Sequence, residues 1–580
     1  MLKLLTYIKS YRKECILGPL FKLLEATFEL FIPLVVAAII DTGIANQNTS
    51  YIVKMCFIMV GLGLVGLISS VTAQYFAAKA SVGFSAKVRH AFMSHIQKLS
   101  YSELDELGTS TLITRITSDV NQVQTGVNIT LRLLLRSPFI VFGAMIMAFT
   151  IDVKSALIFV AVIVALLIVV FGIMLISIPL YRHVQSKLDD VTLTTRENLT
   201  GIRVLRAFCM EQSETEKFNH QNEMLSKMQK HVGIFSALMN PVTYVILNSA
   251  ILWLIWTGAI QVSTGILTQG AVVALYNYMS QILIELIKLA NLIITMTKSV
   301  ACGKRVQSVL EYGAKDFDHD NNKKIIETLK KGTITFENVT FSYNNSSEPS
   351  LHDISFSAKS GETVGIIGGT GSGKTTLVNL ISRLYPATSG TIKIDDFDID
   401  EFSQKDLRKR FGIVPQKAVL FKGSIKQNLL WGKEDATEEE MYKALEVAQA
   451  KEIVENKENG LDSVISEGGQ NLSGGQRQRL TIARAIVRNP EFLILDDSAS
   501  ALDYATDAAL RHSLQQLTPK PTVFIVSQRA SSVRYADKII VLDDGYIVGS
   551  GTHEQLLKNC TVYQEIYYSQ FPKEVASNGK

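Results

Sequence analysis

The apolar run Thr363 to Ile367 leads into Gly368-Gly369-Thr370-Gly371-Ser372-Gly373-Lys374-Thr375-Thr376. Glycines at this density let backbone N–H groups close around an anion. A lysine then reaches the outer phosphates, and the next hydroxyl can bind Mg²⁺. The spacing fits G-x-x-x-x-G-K-[ST] in its required setting of strand, loop and helix. The expected ligand is a nucleoside triphosphate held by Thr370, Gly371, Ser372, Gly373, Lys374, Thr375 and Thr376. A second run, Leu493 to Leu495, has the character of a buried parallel strand. Asp496 ends it and places a carboxylate where Mg²⁺ could be held. A third, Leu472-Ser473-Gly474-Gly475-Gln476, puts a hydroxyl and bare amides before a helix-compatible segment that Pro490 ends. A helix start of this kind suits a phosphate.

The 580 residues exceed what one core supports, so several domains are expected. Hydrophobic residues make up 47% and mean hydropathy is +0.19, high for a wholly soluble chain of this length. Apolar runs at 15–41, 55–80, 133–151, 155–181, 236–262 and 271–297 crowd the first half. Each approaches or exceeds the ~20 helical residues that cross a bilayer. Loops 42–53, 152–154 and 263–270 are short and poor in Lys and Arg, whereas 81–132 and 182–235 are long and rich in them. That bias places both termini and both long loops in the cytoplasm of a multi-pass protein in the cell membrane. Residues 1–14 suit a helix on the membrane surface or a frayed basic tail, and no cleavable signal peptide is expected. A net charge of +4 without a basic block points away from nucleic acid. The five cysteines have neither metal spacing nor a disulfide pattern.

Charges inside the spans have two readings. Lys22, Glu25 and Glu29 share a helix face, as do Glu285 and Lys288. Glu25, Glu29 and Glu285 could line a cavity that draws cationic amphipathic substrates, or they could sit in structural ion pairs, for instance with Lys22 or Lys288, or at the membrane interface.

Leu472 to Gln476 resembles the signature sequence of the ATP-binding cassette (ABC) transporter family, and Leu493 to Asp503 resembles its Walker B strand and D-loop. The resemblance covers almost the whole chain. It implies a membrane domain of six transmembrane helices in the type IV ABC exporter fold, joined to an α/β P-loop ATPase domain. The expected boundaries are 1–310 for the membrane domain, 311–332 for a charged linker and 333–580 for the ATPase domain. Tyr343 matches the adenine-stacking residue of the A-loop. Gln416 in Val414-Pro415-Gln416 matches the Q-loop, which completes an expected metal set of Thr375, Gln416 and Asp496. Ser466-Glu467-Gly468-Gly469 stands where exporters have an X-loop. Ser473, Gly474, Gly475, Gln476 and Asp503 join the nucleotide-binding residues. Residues 107–120 and 197–211 resemble loops that couple the membrane domain to the ATPase domain.

Two residues depart from the family pattern. Asp497 stands where the catalytic Glu is usual, and Gln528 stands where the switch His is usual. Asp is shorter by roughly 1.5 Å, and misplacement by about 1 Å can cost on the order of 100-fold, about 2.7 kcal/mol of barrier. Gln can bond a phosphate but carries no proton charge. Asp497, Gln528 and Gln416 thus form a degenerate catalytic set, with ATP and Mg²⁺ as cofactors. The resemblance extends to the degenerate-site member of bacterial heterodimeric multidrug exporters, with a second, unlike half-transporter as partner. Alternatives are a slow homodimeric exporter of lipid or peptide and an ATP-gated channel or regulatory subunit. A processing peptide exporter is disfavoured, because no peptidase-like extension precedes the first span.

Overall fold

The computed structural model describes residues 3–313, 332–343, 346 and 348–571. Most of the expected linker therefore lies outside the described residues. The chain forms two units: Met1–Gln97 with Thr109–Tyr312, and Lys98–Gly108 with Gly313–Lys580.

The first unit is helical: α1 (Arg12–Ala38), α2 (Thr49–Ile96), α4 (Thr109–Thr114), α5 (Val120–Leu133), α6 (Arg136–Ile151), α7 (Val153–Thr200), α8 (Ile202–Ala207), α9 (Glu211–Ala237), α10 (Met239–Ser263) and α11 (Gln269–Glu311). Among its described residues, six helical segments are long and apolar enough to cross a membrane, and all six expected runs fall inside them. α2 and α7 continue well beyond a bilayer's thickness at 48 residues each. Polar side chains set several starts. Asp152 accepts from Ser155 N at 2.8 Å, and Thr268 Oγ1 accepts from Ala271 N at 3.2 Å. Leu30, Val141, Phe159, Leu254 and Ile282 form a buried core, while Phe57, Ile68, Leu175 and Trp256 stay exposed, as bilayer-facing side chains do. The N-terminal stretch Leu4–Tyr11 is a short 3₁₀ helix. Its Lys3 pairs with Glu311 at 2.6 Å, and Ser10 accepts from Lys87 Nζ at 2.5 Å.

The second unit contains α3 (Tyr101–Leu107), which the sequence boundaries assign to the membrane domain. Aromatic packing explains the difference. Tyr101 lies 6.2 Å from the Tyr385 ring, and the Tyr385 hydroxyl donates to Asp105 at 2.5 Å. The helix packed in this unit thus begins earlier than the run 107–120 that the resemblance marks for coupling.

Among the described residues, twelve strands and the helices between and after them build the remainder. β1 (Ile334–Phe341), β2 (Leu351–Ala358), β4 (Ser389–Ile394) and β5 (Phe397–Asp398) make an antiparallel sheet ordered β2-β1-β4-β5. The main sheet is ordered β12-β11-β3-β10-β9-β6. Its strands are β3 (Thr363–Gly368), β6 (Phe411–Val414), β9 (Phe492–Asp496), β10 (Thr522–Ser527), β11 (Lys538–Asp543) and β12 (Tyr546–Gly551). Only β12 runs antiparallel to its neighbour. β7 (Gly423–Ser424) and β8 (Val464–Ile465) pair separately. The helices are α12 (Lys374–Ile381), α13 (Gln404–Lys409), α14 (Ile425–Leu430), α15 (Glu438–Val447), α16 (Lys451–Glu455), α17 (Gly474–Ile486), α18 (Tyr504–Gln515), α19 (Ala530–Val533), α20 (His553–Asn559) and α21 (Thr561–Gln570). β9 and β10 are buried at every position, as strands covered on both faces must be.

Candidate functional site

Register in the parallel sheet builds the site. Ser527 of β10 lies opposite Ile367 of β3, Val526 opposite Asp496 of β9, and Leu495 opposite Val414 of β6. Four neighbouring strands therefore end together, and the chain leaves each with a different functional residue. Such a carboxyl edge is where open α/β sheets hold ligands. A cavity of about 330 Å³ occupies it, lined by Tyr343, Ser350, Thr370, Gly371, Gly373, Lys374, Thr375, Thr376, Gln416, Asp496, Asp497, Val526 and Gln528.

The loop after β3 needs its glycines. Gly371 and Gly373 have φ of +85° and +93°. A Cβ on Gly373 would also sit 2.7 Å from Leu351 Cδ2 and 3.0 Å from the Ser350 carbonyl. Lys374 is folded back onto this loop. Its Nζ donates to the carbonyls of Gly368 (3.0 Å) and Gly369 and to Ser372 Oγ (3.3 Å). Burial pulls the Lys374 pKa down, against the pull of Asp497 and Asp496. An arriving phosphate would restore the solvation that burial removes.

Thr375 Oγ1 donates to Asp496 Oδ1 at 3.2 Å, so a hydroxyl and a carboxylate converge on one point. Few protein oxygens, with phosphate and water completing the shell, suit Mg²⁺. Among the described residues no cluster of three His, Cys, Asp or Glu could hold a metal by itself. Burial raises the Asp496 pKa above its ordinary 3.8, and the Asp497 charge adds to this while Thr375 and Lys374 oppose. A carboxyl raised in the folded state favours folding while protonated and loses that contribution as pH climbs through its folded value. A cation bound here would offset the penalty that burial places on the charged form.

Asp497 takes a left-handed conformation, φ +45° and ψ +30°, which Asp tolerates better than most residues. Its N–H donates to the Val526 carbonyl at 3.0 Å, and its own carbonyl accepts from Ser500 Oγ at 2.7 Å. Gln416 Nε2 reaches Asp497 Oδ2 at 3.5 Å, the limit of a hydrogen bond. Tyr343 stands edge-on to Phe341 and Tyr385, with centroids at 4.8 and 5.4 Å. Its hydroxyl lies 3.1 Å from Thr376 Oγ1.

Other expected residues lie elsewhere. Ser372, within the loop, is buried and accepts from Lys374 Nζ. Ser473 caps α17 with Gln476 in a reciprocal box: Gln476 N donates to Ser473 Oγ at 3.3 Å and Ser473 N to Gln476 Oε1 at 3.0 Å. Ser473 and Gly474 are exposed and Gly475 partly so. Asp503 caps α18 through a 3.5 Å bond from Thr506 N. None of these lines the cavity. Ser350 and Val526 do, although no motif marks them.

In the first unit the carboxylates Glu25, Glu29 and Glu285 are tied to cations. Arg136 bonds Glu285 at 2.6 Å and Glu29 at 2.7 Å, and lies 3.9 Å from Glu25. Lys22 meets Glu25 at 2.5 Å and Lys288 meets Glu285 at 2.7 Å. Ser137 Oγ donates to Glu285 Oε2 at 2.8 Å. Three positive and three negative groups balance. The sequence reading missed Arg136, although one arginine within Leu133-Leu134-Leu135-Arg136-Ser137 was a visible signal.

Residues 15–286 match the family model described as the ABC transporter transmembrane region, and 351–500 match the model described as ABC transporter. An ABC transporter ATP-binding protein of Mycobacterium tuberculosis is 37% identical over 97% of both chains. A Bacillus subtilis protein named for multidrug export is 32% identical, over 98% of this chain and 99% of that protein. The solved structure of a bacterial Atm1-family ABC exporter with ATP bound shares the fold. Its TM-score is 0.79 at 21% identity, covering 97% of this chain and 99% of that one.

Proposed function

The chain belongs to the ABC transporter family, and from that premise we propose that it is the weakly hydrolytic half of a heterodimeric exporter of amphipathic small molecules. Family membership makes it a multi-pass membrane protein whose ATP-binding domain couples ATP hydrolysis to transport. The finer reading rests on one observation: Asp497 and Gln528 both face the cavity that holds Lys374, Thr375 and Asp496. The two positions that complete hydrolysis in the family pattern thus carry the shorter acid and the side chain that takes no proton charge.

In this reading ATP lies with its phosphates on the 368–376 loop and its adenine on Tyr343. Mg²⁺ is held by Thr375, Gln416 and Asp496, and neutralises charge on the outer phosphates. The exposed Ser473–Gln476 corner serves a second site, whose Walker residues come from an unlike chain with the Glu and His that this chain lacks. The protein resides in the cell membrane with its termini and ATPase domain in the cytoplasm. Multidrug-type substrates are supported by the name of the Bacillus subtilis relative. Charge attraction by Glu25, Glu29 and Glu285 is offset by their cations. Apolar fit should therefore outweigh charge in substrate choice.

Copurification from native membranes tests the pairing: an unlike half-transporter is expected, and a stoichiometric homodimer would overturn it. For the adenine platform, Tyr343→Ala is expected to weaken binding of a fluorescent ATP analogue about tenfold, within the ~1–3 kcal/mol range of base–aromatic stacking. Tyr343→Phe, which loses only the hydroxyl, should stay near wild type. Equal losses in the two variants would refute stacking.

A further inference from the structure

Gln528 is held from outside its own strand. β10 ends at Ser527, where the sheet ladder stops, so the next backbone groups need other partners. The carboxamide of Gln570, the last residue of α21, supplies them. Its Nε2 donates to the Gln528 carbonyl at 2.8 Å, and its Oε1 accepts from Ala530 N, also at 2.8 Å. One amide thus brackets Gln528 and Ala530, using its donor and its acceptor together. Arg529, between them, reaches the opposite way. Its guanidinium donates to the carbonyls of Ala499 and Ser500 at 3.3 Å each and lies over the Tyr504 ring at 5.8 Å. Those carbonyls belong to the turn that leaves Asp497.

α21 is seated firmly enough to transmit position. Tyr563 is fully buried, and its hydroxyl lies 2.8 Å from His553 Nδ1. Gln564 Nε2 donates to the Leu557 carbonyl at 2.8 Å, and Tyr567 packs on Phe571 with ring centroids 4.9 Å apart. Gln570 itself is exposed. Its two bonds therefore order a segment that water could otherwise solvate.

We propose that Gln570 is a positioning residue of the nucleotide site, through which the C-terminal helix fixes the Gln528 side chain at the mouth of the cavity. The proposal rests on the reading of that cavity as an ATP site with Gln528 facing the outer phosphate. It predicts that Gln570, outside every nucleotide motif, governs how long ATP is retained.

The test uses the full chain with its copurifying partner in lipid vesicles. 8-Azido-ATP with Mg²⁺ is loaded, the sample is diluted into excess ATP, and label fixed by light on this chain is followed over time. Gln570→Ala is expected to shorten retention about tenfold, a size consistent with losing two modest net hydrogen bonds. Gln570→Glu keeps the acceptor for Ala530 N–H and should fall between. With Gln528→Ala in place, Gln570→Ala should add nothing, because its effect acts through the missing side chain. Equal shortening in both backgrounds would reduce Gln570 to a fastening for α19, and unchanged retention would remove its role altogether. Either result overturns the proposal. Failure of the degenerate-site reading is seen separately, as label recovered from wild-type protein as ADP before dilution.

Discussion

Under the proposed pairing with an unlike half-transporter, Ser473→Ala is expected to lower steady-state ATP turnover of the pair about 100-fold, whereas Asp497→Asn should leave it within about twofold. The first figure is the usual effect of removing one preorganised donor from a site that stabilises developing negative charge. Ser473 precedes two glycines at the start of α17, and the 13-residue helix presents bare amides there. Losing the N-cap also costs the helix about 1 kcal/mol, so a drop in activity alone would be ambiguous. Ser473→Asp separates the effects. Asp caps a helix as well as Ser does but sets a like charge against phosphate, so this variant should be equally inactive and thermally normal.

Asp497→Asn asks the opposite question. If the shortened acid no longer polarises water, neutralising it changes little, and the chain without its partner should be nearly inactive. Brisk turnover by the chain alone, stopped by Asp497→Asn, would make Asp497 a working base and the protein a homodimer. ATPase assays in lipid vesicles, on the chain alone and on the pair, read all of these outcomes.

The legibility of this chain follows from where its constraints are local. The phosphate loop could be read because Gly371 and Gly373 need left-handed backbone that few residues tolerate. The six spans could be read because a bilayer demands about 20 apolar residues from each helix. Gln416, Asp496, Asp497 and Gln528 could be named singly, but their meeting depends on strand order and register, which pair residues far apart in the chain. Motif spacing supplies their roles and leaves the geometry open. Ser350 enters the cavity through no motif at all. Tyr385 draws Tyr101 and Asp105 into the second unit, and a tyrosine in the loop between α12 and β4 carries no local sign of that. Gln570 bonds residue 528 from 42 positions away, beyond the reach of any periodicity.

The largest structural effect is expected at Arg136. Arg136→Met should destabilise the chain by about 3–5 kcal/mol, the range for breaking a buried ion pair by removing one partner. Arg136 and Glu285 are 7% and 2% exposed, and each sits in an apolar helix where an uncompensated charge is costly. The substitution leaves three carboxylates facing Lys22 and Lys288 alone. Methionine fills much of the same volume, so lost charge pairing rather than a cavity would dominate. A double-mutant cycle checks the assignment: Arg136→Met with Glu285→Gln should recover part of the loss, because the best-buried carboxylate no longer lacks its partner. Thermal unfolding of the purified chain in lipid nanodiscs reads both effects. An Arg136→Met variant as stable as wild type, or losses that simply add, would dissolve the claim that Arg136 holds the network together. The consequence reaches transport, because Arg136 lies on α6 and binds carboxylates of α1 and α11. Any change of state that separates these three helices must break a charge-balanced cluster in a low-dielectric setting. A loosened Arg136 variant should therefore switch conformation more readily even where it still folds.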